Sequence, residues 1–243
     1  MRIYLTTKGN IFIMKNMLDL LFTTPNASVI FLIFIYLVAL IFAMTVHEYS
    51  HAVVALQEGD ATATVMGRKT LNPLKHIDIL GTIVLLVFGF GWAKPVPVDA
   101  RNFKNGSKSE ARVAFAGIKT NFILGVVFLF LTQLFSVIYE VSASTSVAFL
   151  YFIILLQVFA QFNIAFGVFN LLPLYPLDGY RLLASRLGEH HSFMRFLQKY
   201  SMIIMLVLLI TGALYYVISF INSGIVLSFT NFFDYVLRGI CIS

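Results

Sequence analysis

The feature that most constrains the fold is a set of four long apolar runs with almost no charged residues. A helix that spans the ~30 Å hydrocarbon core of a bilayer needs about 20 mostly apolar residues. Four segments meet this length, and three of them contain no Asp, Glu, Lys or Arg. The segments are Leu20–Val46, Val113–Tyr139, Val141–Leu177 and Ser201–Phe233. We therefore predict an all-α polytopic membrane protein.

Local signals refine the ends of these predicted helices. The apolar character of the first run continues to about Leu56. Pro173 and Pro176 should end the third helix near Leu172, because proline lacks the N–H that a helix interior needs. In the fourth run, Gly224 is the predicted position of a break.

Two further apolar segments are ambiguous. Ile79–Ala93 contains three glycines and is marginal in length for a span, so it is expected to be a re-entrant element or a short, shielded helix. Whether Ile225–Ser243 crosses the membrane stays open. The count is thus five or six membrane segments, and we expect residues 1–243 to form one membrane-embedded domain.

Composition narrows the class of protein. The chain is 59% hydrophobic and 12% charged, against about 25% charged for soluble domains, and its mean hydropathy is +0.89. Its net charge of +6 lies in short loops between apolar runs, which indicates membrane topology rather than nucleic-acid binding. The single cysteine, Cys241, excludes a Cys-rich zinc site. We do not expect a removable signal peptide in Met1–Leu21.

The distribution of basic residues predicts an orientation. Three loops are rich in Lys and Arg, whereas the loop at Glu140 has none. The basic loops are Gln57–His76, Lys94–Arg112 and Asp178–Lys199. The positive-inside rule places these loops in the cytoplasm and the Glu140 loop outside. Counting back along the chain, the N-terminus is expected outside.

A five-residue motif at the end of the first apolar run carries the most chemistry. His47-Glu48-x-x-His51 is an H-E-x-x-H pattern, and on a helix its two histidines lie on one face. Two such imidazoles can bind one Zn²⁺, while Glu48 beside them can act as general base toward water. An ionisable residue inside the membrane costs at least ~2.5–3.5 kcal/mol. A bound metal compensates for this cost, which argues against a chance motif.

A catalytic zinc usually has three protein ligands, and Asp178 is the candidate for the third. It follows a proline-broken apolar run and precedes Gly179, which lets the backbone turn closely. From spacing alone, an ordinary acidic residue at a helix end is an equal alternative. His47 lies ~15 Å inside the cytoplasmic end of its helix, so a bend at Pro173–Pro176 is needed to bring Asp178 to it.

Asn121 lies at nearly the same depth as His47, ~13–14 Å from the cytoplasmic end of its helix. Its amide could donate a hydrogen bond to the oxyanion of a tetrahedral intermediate. Spacing alone favours the alternative, a hydrogen bond to a neighbouring helix.

These residues, together with several other motifs in order, resemble the site-2 protease family of intramembrane zinc metalloproteases. The likeness is to small members without PDZ or CBS domains, and it covers about Phe42 to Leu183, with core motifs in 42–183. The motifs are His47-Glu48-x-x-His51, Gly59-Asp60, Gly67-Arg68, Leu71-Asn72-Pro73-Leu74-x-His76-Ile77-Asp78, Gly91-Trp92-Ala93-Lys94-Pro95-Val96-Pro97-Val98, Arg101-Asn102-Phe103, Asn170-Leu171-Leu172-Pro173 and Pro176-Leu177-Asp178-Gly179.

The resemblance implies roles for individual residues. His47, His51 and Asp178 match the family's ligands for one Zn²⁺ per chain, and Glu48 matches its general base. Asn121 matches the Asn of the family pattern Ala-Gly-Pro-x-x-Asn, which strengthens its oxyanion role. The family's extended element near the site corresponds to Trp92–Val98. Its predicted substrate-binding residues are Trp92, Lys94, Pro95, Val96 and Pro97.

The sequence departs from the family pattern at one place, and three of its histidines have no assigned role. Ile118 replaces the proline of that pattern and Lys119 adds a charge, so helix geometry and substrate positioning near the site are expected to differ. His76 matches the pattern without a clear role. His190 and His191 match nothing and are interpreted as solvated loop residues.

The predicted function is hydrolysis of transmembrane or membrane-associated protein substrates, of the kind used in regulated intramembrane proteolysis. The expected location is a prokaryotic cell membrane, with the active site toward the cytoplasm. A catalytically silent membrane protein of the same fold that binds a partner is the first alternative, and a metal transporter the second. The sequence does not indicate the substrate, the regulatory signal or the oligomeric state.

Overall fold

Five long apolar helices dominate the computed structural model, which describes residues 27–81 and 92–241. Each is long and apolar enough to cross a membrane. They are α1 (Ala27–Gln57), α3 (Ser107–Val141), α4 (Val147–Leu171), α6 (Ser192–Ile210) and α7 (Ala213–Cys241). The described residues contain no strand. The prediction of an all-α polytopic membrane protein is confirmed.

Shorter elements connect these helices. Two are α-helices, α2 (Thr62–Val65) and α5 (Asp178–Leu187). Two are single 3-10 turns, Pro73–Lys75 and Ala100–Asn102. Most of the predicted segment Ile79–Ala93 lies outside the described residues, as do Met1–Leu21 and the start of the first apolar run.

Helix α3 lies at the centre of the bundle. It runs antiparallel to α1, because Asn121 contacts Ala43 while Val113 contacts His51. It also runs antiparallel to α4, since the ring of Tyr139 near its end packs on Phe149 near the start of α4. Buried side chains of α3 to α7 then form one continuous apolar core.

A glycine sets the close approach of α3 and α4. A Cβ atom at Gly125 would lie 2.4 Å from Cγ1 of Ile164 and 3.3 Å from the carbonyl oxygen of Ala160. Ile164 is fully buried and cannot move aside. Without a side chain at Gly125, the two helices can approach closely, as small residues allow between membrane helices.

The helix end predicted at the prolines is confirmed, whereas the break predicted at Gly224 is wrong. Helix α4 ends at Leu171, close to the predicted Leu172, and an irregular stretch leads to α5. The fourth apolar run, however, breaks at Thr211–Gly212 and not at Gly224. Gly212 adopts a φ of 72°, a conformation that favours glycine, whereas Gly224 lies inside α7.

Helix α7 continues through the ambiguous C-terminal stretch as far as Cys241 and runs in the same direction as α3. The ring of Phe233 packs on Phe130, and Arg238 pairs with Glu140 at 2.9 Å. Arg238 also pairs with Asp234, one turn before it, at 2.7 Å. The last turns of α3 and α7 are therefore joined at one end of the bundle.

We predict that Gly125→Ala destabilises the bundle by about 1–3 kcal/mol, the usual cost of overpacking a core. Thermal unfolding in detergent measures the effect. Gly224→Ala is the matched control, because nothing lies within 4 Å of a Cβ atom added there. Equal melting temperatures for Gly125→Ala and wild type would show that the α3–α4 contact tolerates the extra methyl group.

Candidate metal centre

Two histidines and one aspartate converge between α1 and α5. His47 and His51 lie one turn apart on α1, and Asp178 is the first residue of α5. The Nε2 atoms of His47 and His51 lie 2.9 Å and 3.0 Å from the same carboxylate oxygen, Oδ2 of Asp178. One ligand atom from each residue lies within 4.8 Å of the others.

The sequence predicts that His47 and Asp178 lie at different depths in the membrane. The irregular stretch after α4 brings the two residues together. Residues 172–177 form turns, and the chain re-enters helix at Asp178 beside α1. Gly179 makes this path possible, because a Cβ atom there would lie 2.3 Å and 2.4 Å from the carbonyl oxygens of Leu171 and Leu172. The predicted bend near Pro173 and Pro176 is thus where the chain turns back.

Hydrogen bonds on the far side of each ring fix the histidine tautomers. Nδ1 of His51 lies 2.7 Å from the carbonyl oxygen of Val113, which can only accept, so Nδ1 carries the hydrogen. Nδ1 of His47 lies 2.6 Å from Oδ1 of Asn121 and donates in the same way. In the neutral rings, both Nε2 atoms therefore present lone pairs to Asp178.

Three electron-rich atoms that face one another in an apolar interior repel unless a proton or a metal ion lies among them. Two imidazole nitrogens and a carboxylate oxygen are a common ligand set of zinc in peptidases. The far-side hydrogen bonds of His47 and His51 are the contacts that orient ligand histidines at metal sites. The residues present therefore fit a zinc ion.

The side-chain amide of Asn121 is hydrogen-bonded to other groups of the protein. Its Nδ2 donates to the carbonyl oxygen of Ala43 and to Oδ1 of Asn163, both at 3.0 Å. Because Ala43 can only accept at that atom, the amide orientation is fixed and Oδ1 must face His47. Both amide hydrogens are thus engaged. The oxyanion role of Asn121 stays a prediction, whereas its interhelical hydrogen bonds are present.

Asn163 on α4 is a site residue that the sequence analysis missed. It is fully buried, and its own Nδ2 donates to the carbonyl oxygen of Phe159 at 2.8 Å, which turns its Oδ1 toward Asn121. A polar amide in an uncharged membrane run was the available signal. One chain of hydrogen bonds therefore runs from Asn163 on α4 through Asn121 to Nδ1 of His47.

The helix around Gly117 departs from the family pattern without losing contact with the site. A Cβ atom at Gly117 would lie 2.6 Å from the His47 ring, so α3 packs directly on this candidate ligand. Ile118 is buried and Lys119 is exposed. Helix α3 passes through this region without interruption.

Glu48 faces an extended segment, Trp92–Asp99, that has no regular secondary structure. Its Oε2 accepts a hydrogen bond from the backbone N–H of Val96 at 2.8 Å. The Val96 side chain packs against Ala52 of α1 and Ala63 of α2. The predicted general base is thus held by the predicted extended element.

The five predicted substrate-binding residues differ in exposure. Trp92, Lys94 and Pro95 are exposed, Pro97 is half-buried, and Val96 is buried against α1. Their role in binding substrate stays a prediction. A cleft of about 810 Å³ between α3 and α5 reaches Gly179, beside Asp178, and polar side chains of Ser107, Lys108 and Arg186 lie along it.

Other motif residues shape the loops around the site. Asp60 is fully buried and accepts hydrogen bonds from Thr62, Asn102 and the backbone of Asp99. Burial favours a higher pKa for Asp60, but these hydrogen bonds outweigh it and the pKa lies below the ordinary value. Asp60 therefore stays ionised at neutral pH as an anchor for the loops.

The remaining histidines lie away from the ligands. His76 is buried, and its Nε2 lies 2.8 Å from the carbonyl oxygen of Thr70. His190 and His191 are exposed, and the ring of His191 caps the first turn of α6 by accepting from Phe193. The structure gives none of the three a ligand role.

A bundle of membrane-length helices that encloses a His-His-Asp cluster with a glutamate beside it is typical of an integral membrane metallopeptidase. Comparison with known proteins specifies the family. The family model described as peptidase family M50 matches residues 35–212, and the chain belongs to this family.

Three relatives carry matching names. "Putative zinc metalloprotease YwhC" of Bacillus subtilis is 40% identical over 190 residues, 77% of this chain and 85% of the relative. "Putative zinc metalloprotease Rip2" of Mycolicibacterium smegmatis is 33% identical, over 71% of this chain and 65% of the relative. "Zinc metalloprotease MJ0392" of Methanocaldococcus jannaschii is 23% identical, over 65% and 36%. No solved structure gives a significant match. The chain is a membrane-embedded zinc metallopeptidase of the site-2 type.

We predict that Asn121→Leu weakens zinc binding about 10- to 100-fold, the usual effect of removing the partner of a ligand histidine. Zinc affinity measured by competition with a chelator tests this. Thr132→Val is the control, because Thr132 is buried on the same helix and its hydroxyl bonds only the backbone of Phe128. Unchanged zinc affinity with lost cleavage would instead favour the oxyanion role.

Proposed function

We propose that the protein is an intramembrane protease in which His47, His51 and Asp178 hold one Zn²⁺ and Glu48 is the general base. The observation that supports this most is the convergence of two Nε2 atoms on one carboxylate oxygen. The proposed catalytic domain spans the chain, with its core in 42–183.

A zinc ion held by His47, His51 and Asp178 would supply Lewis acidity, which polarises a carbonyl group and favours attack by water near neutral pH. The protein's own residues complete the reaction. Glu48 takes the proton of the attacking water and returns it to the leaving amine. The Val96 N–H, which bonds Glu48 at 2.8 Å, keeps this carboxylate in place beside the histidines.

The proposed substrates are transmembrane or membrane-associated proteins, as in regulated intramembrane proteolysis. The apolar surface of the bundle faces lipid, so a substrate helix can approach laterally. Its peptide bonds are shielded by i to i−4 hydrogen bonds until it unwinds. We propose that the unwound stretch lies along Trp92–Pro97 in an extended form and that the cleft at Gly179 admits water.

The proposed location is a prokaryotic cell membrane, with the metal centre toward the cytoplasm. The loop at Glu140 lies at the far end of α3 from the centre, and the basic loops flank the centre. The positive-inside rule supports this orientation.

The decisive variant is Glu48→Gln, which removes the general base and keeps a side chain of the same size. Purified protein should retain bound zinc but lose 100-fold or more of its cleavage of single-span substrates, in line with general-base contributions. Zinc content and cleavage are measured together on the same preparations. A chelator should abolish the activity of wild type.

Glu189→Gln is the control, because Glu189 is exposed and away from the ligands. Zinc binding by wild type with no cleavage of any substrate in the panel would favour a catalytically silent binding protein. Equal cleavage by Glu48→Gln and wild type would exclude Glu48 as the base.

Thiol labelling checks the orientation. In a Cys241→Ser background, we expect Thr145→Cys to react with an impermeant maleimide in intact cells. Lys108→Cys should react only after permeabilisation. Both positions are exposed, so accessibility depends on the side of the membrane. The reverse pattern would place the metal centre outside.

A further inference from the structure

Arg68 is a buried cation that the proposed mechanism does not use. Only 9% of its surface is exposed, and its Nη2 donates to the carbonyl oxygens of Lys94 at 2.9 Å and Pro95 at 3.2 Å. Burying a guanidinium is costly unless its hydrogen bonds compensate. Two successive carbonyls of the extended segment supply part of that compensation, whereas the buried Nε of Arg68 has no partner among the described residues.

The neighbouring backbone groups of the segment are engaged as well. The N–H of Lys94 donates to the carbonyl oxygen of His76 at 2.8 Å, and the N–H of Val96 donates to Glu48. Pro95 and Pro97 have no N–H. Between Lys94 and Pro97, the segment therefore has no N–H left to donate to another peptide.

Two carbonyl groups in this stretch remain available. Among the described residues, the oxygens of Val96 and Pro97 accept no hydrogen bond. Because successive carbonyls of an extended chain point to opposite sides, a peptide that lies along one edge can donate an N–H group to one of them but receives none in return. Docking is thus one-sided, which differs from the reciprocal ladder of an ordinary added strand.

We propose that Arg68 is a positioning residue for an extended peptide substrate. By bonding the carbonyls of Lys94 and Pro95, it fixes the direction of the two carbonyls that follow, at Val96 and Pro97. The one that faces the substrate then accepts a substrate N–H group. The same clamp keeps the Val96 N–H on Glu48. This inference rests on the proposed function, because it assigns a substrate to the segment.

Arginine suits this contact. The two hydrogens on its Nη2 lie in a fixed plane and each can bond one carbonyl, whereas lysine presents a single point charge on a stem that is one bond shorter. The backbone N–H of Arg68 bonds the carbonyl of Ala63 at 2.8 Å, and Gly67 before it has a φ of 64°, so a tight turn after α2 aims the side chain. Lysine at this position should therefore work only in part.

Arg68→Gln, Arg68→Lys and wild type are compared in detergent by three measurements: zinc content, amide hydrogen exchange, and steady-state cleavage of a single-span model peptide that wild type cuts. We expect Arg68→Gln to keep its zinc and to exchange the Lys94 and Val96 amides faster. Its KM should rise on the order of 10-fold or more, as for a lost hydrogen bond to a charged group. Arg68→Lys should fall between.

Arg101→Gln is the matched control, because Arg101 is an exposed arginine that bonds only Asp99, at the end of the same segment. It should leave exchange at Lys94 and Val96, and KM, unchanged. Unchanged exchange in Arg68→Gln overturns the clamp, and faster exchange with an unchanged KM overturns the role in substrate positioning.

Failure of a variant to fold and failure of the proposed function can be told apart from failure of this proposal. If Arg68→Gln does not fold, Arg68→Lys carries the test, and a wild-type KM for it overturns the proposal. If wild type binds zinc but cuts no peptide, the proposed function fails, whereas the exchange data still show whether Arg68 clamps the segment.

Discussion

The structure depends on keeping three ionisable side chains together inside an apolar bundle. Two imidazole nitrogens and one carboxylate oxygen face one another at about 3 Å, where water cannot screen them. Such a cluster is stable only with a cation among its members and with every outer hydrogen bond satisfied. Much of the central packing serves this condition: α3 supplies Val113 and Asn121, α4 supplies Asn163, and the turn before α5 returns Asp178.

Backbone atoms provide much of this support. The carbonyls of Val113 and Ala43 can only accept, and the Val96 N–H can only donate, so each fixes its side-chain partner without ambiguity. A side-chain partner that can flip would leave the tautomers of His47 and His51 undefined. Small residues at Gly117 and Gly125 let the helices come close enough for these contacts.

The sequence predicted the features that depend on local chemistry. Apolar run length predicted the helices, proline predicted the end of α4, and the spacing of His47 and His51 predicted a shared face. The position of the break was not predicted: Gly212 and Gly224 lie in the same apolar run, and the sequence analysis chose Gly224. Asn163 was missed, and Arg68 was matched to a motif without a role, because their partners lie on distant parts of the chain.

The hydrogen-bond pattern of Lys94–Pro97 also bears on self-association. An exposed extended segment normally offers alternating donors and acceptors, which makes it a template for pairing with another chain. Here two amides are bonded internally and two residues are proline. A second copy of the segment could not form a ladder with it. The protein can therefore keep an extended segment beside the candidate metal centre that is a poor template for pairing with a second copy of itself.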